Sequence, residues 1–353
     1  MRAAISLLLC LSCALLGAAH AGKGVATWYD ATDMDASLKE LREHAASFAS
    51  LSVFALGDAS TTEAERSAWM HEVTHTLGIE TYKLGCGSLP FDDLHSFYTE
   101  AARDITVSHC VAAAVNGSYT GIDLDYEHMP VRNATVTNAY SAFVRSLSAA
   151  LHAAGKKLSC CVGSYPTPDN GIEVFYDPSV LNETMDVVRV MNYDMYWVGG
   201  RDVPSLANRP DCVGAGPTST KPWAKQSMEW WLARVSREKI VMGLPAYSND
   251  YCSLPHYGGS NGTQIYRAGA PSVPDEAQEG SVDTAWQFYE QIYVHRYISA
   301  ASGLPRIRYG TDARSTLAHL ATADQLGVAQ VGFWTWLSAD EHMKSAVYSW
   351  TES

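Results

Sequence analysis

What this chain lacks narrows the field before any motif is read. Beyond residue 21 no apolar run approaches the roughly 18 residues that a membrane-spanning helix needs, so the mature protein is expected to be soluble. A basic excess is missing too: 25 Lys and Arg stand against 38 Asp and Glu, a formal charge of −13. An acidic surface repels phosphate backbones, which argues against nucleic acid as a partner. There is no internal repeat, low-complexity tract or linker, so the chain reads as a single domain and a monomer. Cysteine is sparse once Cys10 and Cys13 are set aside with the first 21 residues. Cys86, Cys110, Cys160, Cys161, Cys212 and Cys252 remain, and their spacing suggests only Cys212 with Cys252, on loops around one strand.

The first residues carry a different signal. Arg2 precedes an apolar stretch from Ala3 to Leu16, and Ala19-His20-Ala21 offers small residues for cleavage. That layout describes a signal peptide over 1–21, so the protein is expected to enter the secretory route, ending outside the cell or in a lysosome or vacuole. Residues 22–353 then form the mature domain, with no membrane attachment. Sequons beginning at Asn116, Asn133, Asn182 and Asn261 suit such a route.

Short apolar runs alternate with amphipathic ones. Strands are expected at Gly24–Tyr29, Leu51–Leu56, Glu80–Gly85, Thr120–Tyr126, Lys157–Gly163, Val187–Met191, Ile240–Leu244 and Val328–Phe333. Helical patterns lie between them, for example at Ser37–Ser47, Thr62–Leu77, Val136–Ala154, Trp223–Val235 and Ala313–Leu326. The strands are β-branched and nearly continuous in apolar residues, as buried parallel strands are. Eight such units argue for an α/β fold, a closed (β/α)8 TIM barrel, although an open doubly wound sheet gives a similar pattern. Residues 247–309 are an insertion between strands 7 and 8, with a helical stretch expected at Ala285–Ala301. In a barrel it would wall the groove at the C-terminal face.

The segment Thr120-Gly121-Ile122-Asp123-Leu124-Asp125-Tyr126-Glu127 alternates strictly. Residues two apart on a strand share a face, about 6–7 Å apart, so Asp123, Asp125 and Glu127 point one way and the apolar set the other. Three neighbouring carboxylates repel, which raises the pKa of the one that stays protonated and equips it as a general acid. An exposed edge strand would leave Ile122, Leu124 and Tyr126 in water. A calcium or magnesium site is the other use of aligned carboxylates. Proton chemistry is the reading adopted, with no cofactor.

This segment resembles the D-G-x-D-x-D-x-E signature of glycoside hydrolase family 18, the chitinase family. Met191-Asn192-Tyr193-Asp194 resembles the family's M-x-Y-D, Gly243-Leu244-Pro245-Ala246-Tyr247 its G-[IL]-P-x-Y, and Gly332-Phe333-Trp334 its G-x-W. The stretch Met242–Cys252 looks most like the di-N-acetylchitobiase branch. The resemblance implies retaining hydrolysis of β-1,4-linked N-acetylglucosamine oligo- or polysaccharides, assisted by the substrate. Glu127 would protonate the glycosidic oxygen and later activate water. Asp125 would hold the substrate's acetamido group, Asp123 would share a proton with Asp125, and Tyr193 would bond the acetamido carbonyl. Asp194, Tyr247 and Met191 would bind sugar, over Trp334 as the floor. Thr120 stands where the signature has its first Asp, and Lys83-Leu84-Gly85-Cys86-Gly87-Ser88 only loosely resembles the strand-three Ser-x-Gly-Gly.

Two other classes compete. A barrel of this kind can be a sugar-binding lectin, since fold does not fix activity. His71-Glu72-Val73-Thr74-His75 matches HExxH, the zinc-peptidase helix motif. However, Thr81 stands at the position of a third His. On a helix His71 and His75 fall opposite the stripe of Trp69, Met70, Val73 and Leu77, toward solvent rather than a walled cleft.

Overall fold

The computed structural model describes residues 22–85, 94–127, 133–164, 175–196, 216–252, 263–265 and 277–353. Eight parallel strands close a barrel: β1 (Gly24–Ala31), β2 (Phe48–Leu56), β3 (Glu80–Leu84), β4 (Gly121–Leu124), β5 (Lys157–Gly163), β6 (Val187–Met191), β7 (Ile240–Pro245) and β13 (Gln330–Trp334), the last pairing back to β1. The helices are α1 (Met34–Glu43), α2 (Glu63–His71), α3 (Glu100–Asn116), α4 (Ala134–Ala153), α5 (Pro178–Thr184), α6 (Lys221–Leu232), α7 (Ala313–Leu326) and α8 (Glu341–Thr351). The chain is therefore the TIM barrel its pattern suggested. Among the described residues no helix is long and apolar enough to cross a membrane.

The main core lies between strands and helices. Ile122, Leu124, Val162, Val190, Met242 and Phe333 bury one face of the barrel wall against Leu41, Trp69, Phe143, Leu147 and Trp231. Helix starts are set locally: Asp33, Thr62, Asn133, Asp312 and Asp340 each accept a backbone N–H of the following turn. Two glycines of the motifs serve barrel closure. A Cβ on Gly121 would meet the Lys157 carbonyl oxygen at 2.3 Å, and one on Gly332 the Ala26 carbonyl oxygen at 2.1 Å.

Between β7 and β13 the chain forms β8 (Ser248–Cys252), β9 (Thr263–Ile265), β10 (Asp283–Gln287), β11 (Ile292–Ile298) and β12 (Pro305–Gly310). These make an antiparallel sheet in the order β10-β11-β12-β8-β9. The helix expected at Ala285–Ala301 is thus wrong, because that stretch is the β10–β11 hairpin. Its β-branched and aromatic residues find cross-strand partners that a helix could not supply. Tyr297 donates to Asp250 Oδ2 at 2.6 Å, and Arg308 Nε lies 2.9 Å from the same oxygen.

β4 is shorter than its alternation suggested. Its ladder ends at Leu124, and Asp125, Tyr126 and Glu127 continue past its C-terminal end. α2 passes into a π-helical turn at Glu72–Thr76. Cys160 and Cys161 are free, buried thiols, whereas Cys110 is disulfide-bonded. The proposed Cys212–Cys252 pair falls outside the described side chains, as do Asn261 and the strand-three segment from Cys86.

Candidate active site

The acids of β4 climb from the barrel interior into solvent. Asp123 is fully buried, Asp125 half-buried and Glu127 exposed. The sequence put all three on one buried face; the structure grades them, because the ladder opens at the barrel mouth. Asp123 Oδ2 accepts from Ser52 Oγ at 2.5 Å and from the Cys161 thiol at 3.5 Å, and Arg189 Nε approaches it to 3.2 Å. The apolar alternates take the opposite face, where Tyr126 packs edge-on against Phe97 and Tyr140.

Above Asp123 an aromatic cluster fills the inside of the barrel: Trp28, Tyr193 and Tyr247, with Met191 and Cys161 among them and Trp334 against them. Trp28 meets Tyr193 edge-on at 5.7 Å between ring centroids and Trp334 at 6.0 Å. Its indole N–H donates to the Cys161 sulfur. Burial pushes the Tyr193 phenol well above its ordinary pKa, and the neighbouring Cys161, Glu127, Tyr247 and Asp125 groups act in the same direction. Tyr247 donates a hydrogen bond to Asp194 Oδ1. The Asp194 backbone is left-handed, at φ 57°, and its N–H is held by Thr218 Oγ1 at 3.2 Å.

The eight residues singled out from sequence thus gather toward one end of the barrel, on or just past the C-terminal ends of β4, β6, β7 and β13. This is the C-terminal end, where barrel enzymes carry their chemistry. Four participants were not singled out: Arg189, Ser52, Trp28 and Phe54. Phe54 stacks on Trp334, and Ser50 and Ser52 precede it on the inward face of β2. Period-two spacing within β2 was a usable signal for these three, but nothing local said which face turned inward.

The HExxH residues stand apart from this arrangement. His71 and His75 are exposed, as their helical position suggested. Glu72 is clamped by the Arg42 guanidinium at 2.5 and 2.8 Å. That pairing, with the Arg42 hydrogen bond as its main cause, holds the Glu72 carboxyl below its usual range and occupies both oxygens of the residue a peptidase would use as base. Among the described residues no three His, Cys, Asp or Glu side chains converge as a metal site.

Residues 85–345 match the model of glycosyl hydrolases family 18. The chain belongs to that family. The uncharacterized glycosylase YvbX of Bacillus subtilis is 27% identical over 154 residues, covering 43% of this chain and 40% of the relative. The chain spans less than half the length of the curated relatives it matches. The same fold recurs in the crystal structure of a chitinase from Chromobacterium violaceum, with TM-score 0.70 and 20% identity over 94% of this chain and 99% of that one. A family 18 N-acetylglucosaminidase from Paenibacillus barengoltzii superposes with TM-score 0.65 at 18% identity, over 93% and 99%. The Ostrinia furnacalis Group IV chitinase, solved with allosamidin, gives 0.64 at 14%, over 94% and 98%. At these identities the likeness speaks to the fold.

Proposed function

We propose that this family 18 protein hydrolyses β-1,4 bonds of N-acetylglucosamine oligo- or polysaccharides with retention of configuration. The observation that carries the reading is the gathering of Asp123, Asp125 and Glu127, running up and past the C-terminal end of β4, with the buried cluster of Trp28, Tyr193 and Tyr247 that packs against Trp334. A sugar ring on the Trp334 face brings its 2-acetamido group toward Tyr193 and Asp125. In the first step the Glu127 proton passes to the glycosidic oxygen, the bond from that oxygen to C1 breaks, and the acetamido carbonyl oxygen bonds to C1. In the second step water gives a proton to the Glu127 carboxylate and adds to C1, and the acetamido oxygen leaves. This is the substrate-assisted exception to the two-carboxylate pattern of glycosidases.

The test is turnover of a fluorogenic chitobioside and of a chitooligosaccharide series, with the anomer of the product followed by NMR. Wild-type protein should release the β-anomer, and chelator should change nothing. Glu127→Gln should lose at least about 100-fold in turnover while still binding sugar. Binding without turnover by the wild type would instead mark a lectin. We also infer passage through the secretory route. Its test is whether residues 1–21 direct a reporter into the medium or an acidic vesicle.

A further inference from the structure

The lower half of the barrel holds a charge that the four family motifs leave out. Arg189, in the middle of β6, has no solvent exposure, and neither does the Asp123 carboxylate 3.2 Å from its Nε. Its Nη2 donates to Ser50 Oγ at 3.0 Å, and its guanidinium lies over the Tyr82 ring at 5.4 Å. Strand register brings it there: Arg189 is opposite Cys161 on β5, and Asp123 is opposite Ser159 on the same strand.

Packing stability explains this arginine poorly. Taking both ions of a buried pair out of water costs about as much as their attraction returns, and apolar replacements of such pairs are often neutral or stabilising. The hydrogen bonding is also incomplete. Asp123 Oδ1 and Arg189 Nη1 are buried with no hydrogen-bond partner among the described residues, and Nε faces Asp123 at ion-pair distance without hydrogen-bond alignment. What the guanidinium supplies is a positive charge at the foot of a column of three acids.

We propose that Arg189 is a positioning residue for the proton chemistry of the site, setting the pH window in which Asp125 and Glu127 work by balancing the Asp123 charge beneath them. This deepens the hydrolase reading and rests on it. The titratable groups that feel Arg189 from the neighbouring strands are Asp123 on β4, Tyr82 on β3, and Cys160 and Cys161 on β5. Burial pushes Tyr82 and both thiols well above their ordinary values, so they stay neutral at working pH. Glu80, which accepts the Tyr82 hydroxyl, is itself paired with Lys157. The guanidinium charge thus falls chiefly on the acid column. Without it, an unbalanced negative charge at Asp123 strengthens proton binding by the acids above.

The experiment is the pH profile of kcat/KM on a fluorogenic chitobioside, which reports the free enzyme's acid and base. Arg189→Met should move both limbs upward by about half a pH unit or more, the order expected for removing a charge held at Asp123, two residues below Asp125 and four below Glu127. Arg189→Lys should leave the limbs in place and change only the rate. Should Arg189→Met not fold, the comparison is made between Asp123→Asn and the Asp123→Asn/Arg189→Met double variant: removing the cation must again raise both limbs. Limbs that superimpose in both comparisons overturn the proposal and leave Arg189 a structural residue. Carboxyl NMR titration of Asp125 and Glu127 in wild type and Arg189→Met gives the same comparison without turnover. A wild type that fails to cleave the chitobioside therefore sinks the function reading, and the titration still judges this one.

Discussion

Phe54, near the open end of β2, stacks on Trp334 of β13 with ring centroids 5.4 Å apart and planes inclined by 29°. Phe54 is 38% exposed, so one of its faces remains open to solvent. The pair extends the aromatic surface at the barrel mouth beyond a single ring. Phe54→Ala should raise KM for chitooligosaccharides about three- to tenfold with kcat little changed, since such ring contacts contribute about 0.5–1.5 kcal/mol. Steady-state kinetics on the oligosaccharide series checks this, and equal KM values on every length would remove Phe54 from the binding surface.

Asp194 joins a special backbone to a charge. At φ 57° its conformation is one that Asn and Asp tolerate better than most residues. Asp194→Asn should therefore fold like wild type and still accept the Tyr247 hydrogen bond, yet lose about tenfold in kcat/KM through the missing charge. Asp194→Ala should also lower the Tm, because the left-handed backbone then costs about 1–2 kcal/mol. Equal Tm values for the two variants would contradict the backbone part of this argument.

His319 on α7 sets an acid limit to the fold. It is 2% exposed, neither ring nitrogen has a hydrogen-bond partner among the described residues, and burial, with the Lys221 charge, lowers its pKa from the usual 6.5 to about 4. Because the unfolded chain takes up this proton first, the stability contribution is intact above about pH 6.5 and is lost progressively as pH falls toward 4. The full loss is on the order of 3 kcal/mol. Tm measured between pH 7 and 4.5 should fall more steeply for wild type than for His319→Leu. Parallel curves would show that other groups govern acid unfolding.

The sequons differ in what holds their asparagines. Asn116 ends α3 on an exposed turn, followed by Gly117 and the exposed Ser118. Asn182 lies within α5, and its Oδ1 accepts the Ser236 backbone N–H at 2.8 Å. Made in a secreting eukaryotic cell, the protein should carry a glycan at Asn116 and none at Asn182. Asn116→Gln should remove one glycan's mass on intact-mass analysis and Asn182→Gln none, the reverse result being fatal to the assignment.

Where local chemistry alone fixes an element, sequence and structure coincide. β5 at Lys157–Gly163, β6 at Val187–Met191 and α7 at Ala313–Leu326 have the bounds their patterns suggested, the helix between the Asp312 cap and a left-handed Gly327. The Ala285–Ala301 stretch failed because helix and strand patterns overlap in a segment this rich in aromatics. Its strand state depends on β12, which follows it, and on Asp250 of β8, far earlier in the chain. α3, α5 and α8 were not among the helices named from the pattern.

The same division runs through the site. Alternation by itself set Asp123, Asp125 and Glu127 to one side of the extended chain that runs along β4 and past its end, with Ile122, Leu124 and Tyr126 on the other, because an extended chain has period two whatever surrounds it. The four motifs likewise marked Met191, Tyr193, Asp194, Tyr247 and Trp334 from sequence. Only the closed barrel decided that Asp123 is buried while Glu127 is exposed, and that Arg189, Ser52, Trp28 and Phe54 belong with them. Those partnerships join residues up to 306 positions apart in contacts across the barrel. They depend on how far each strand slides past the next, a quantity set by the packing of the whole wall and written in no single stretch of chain.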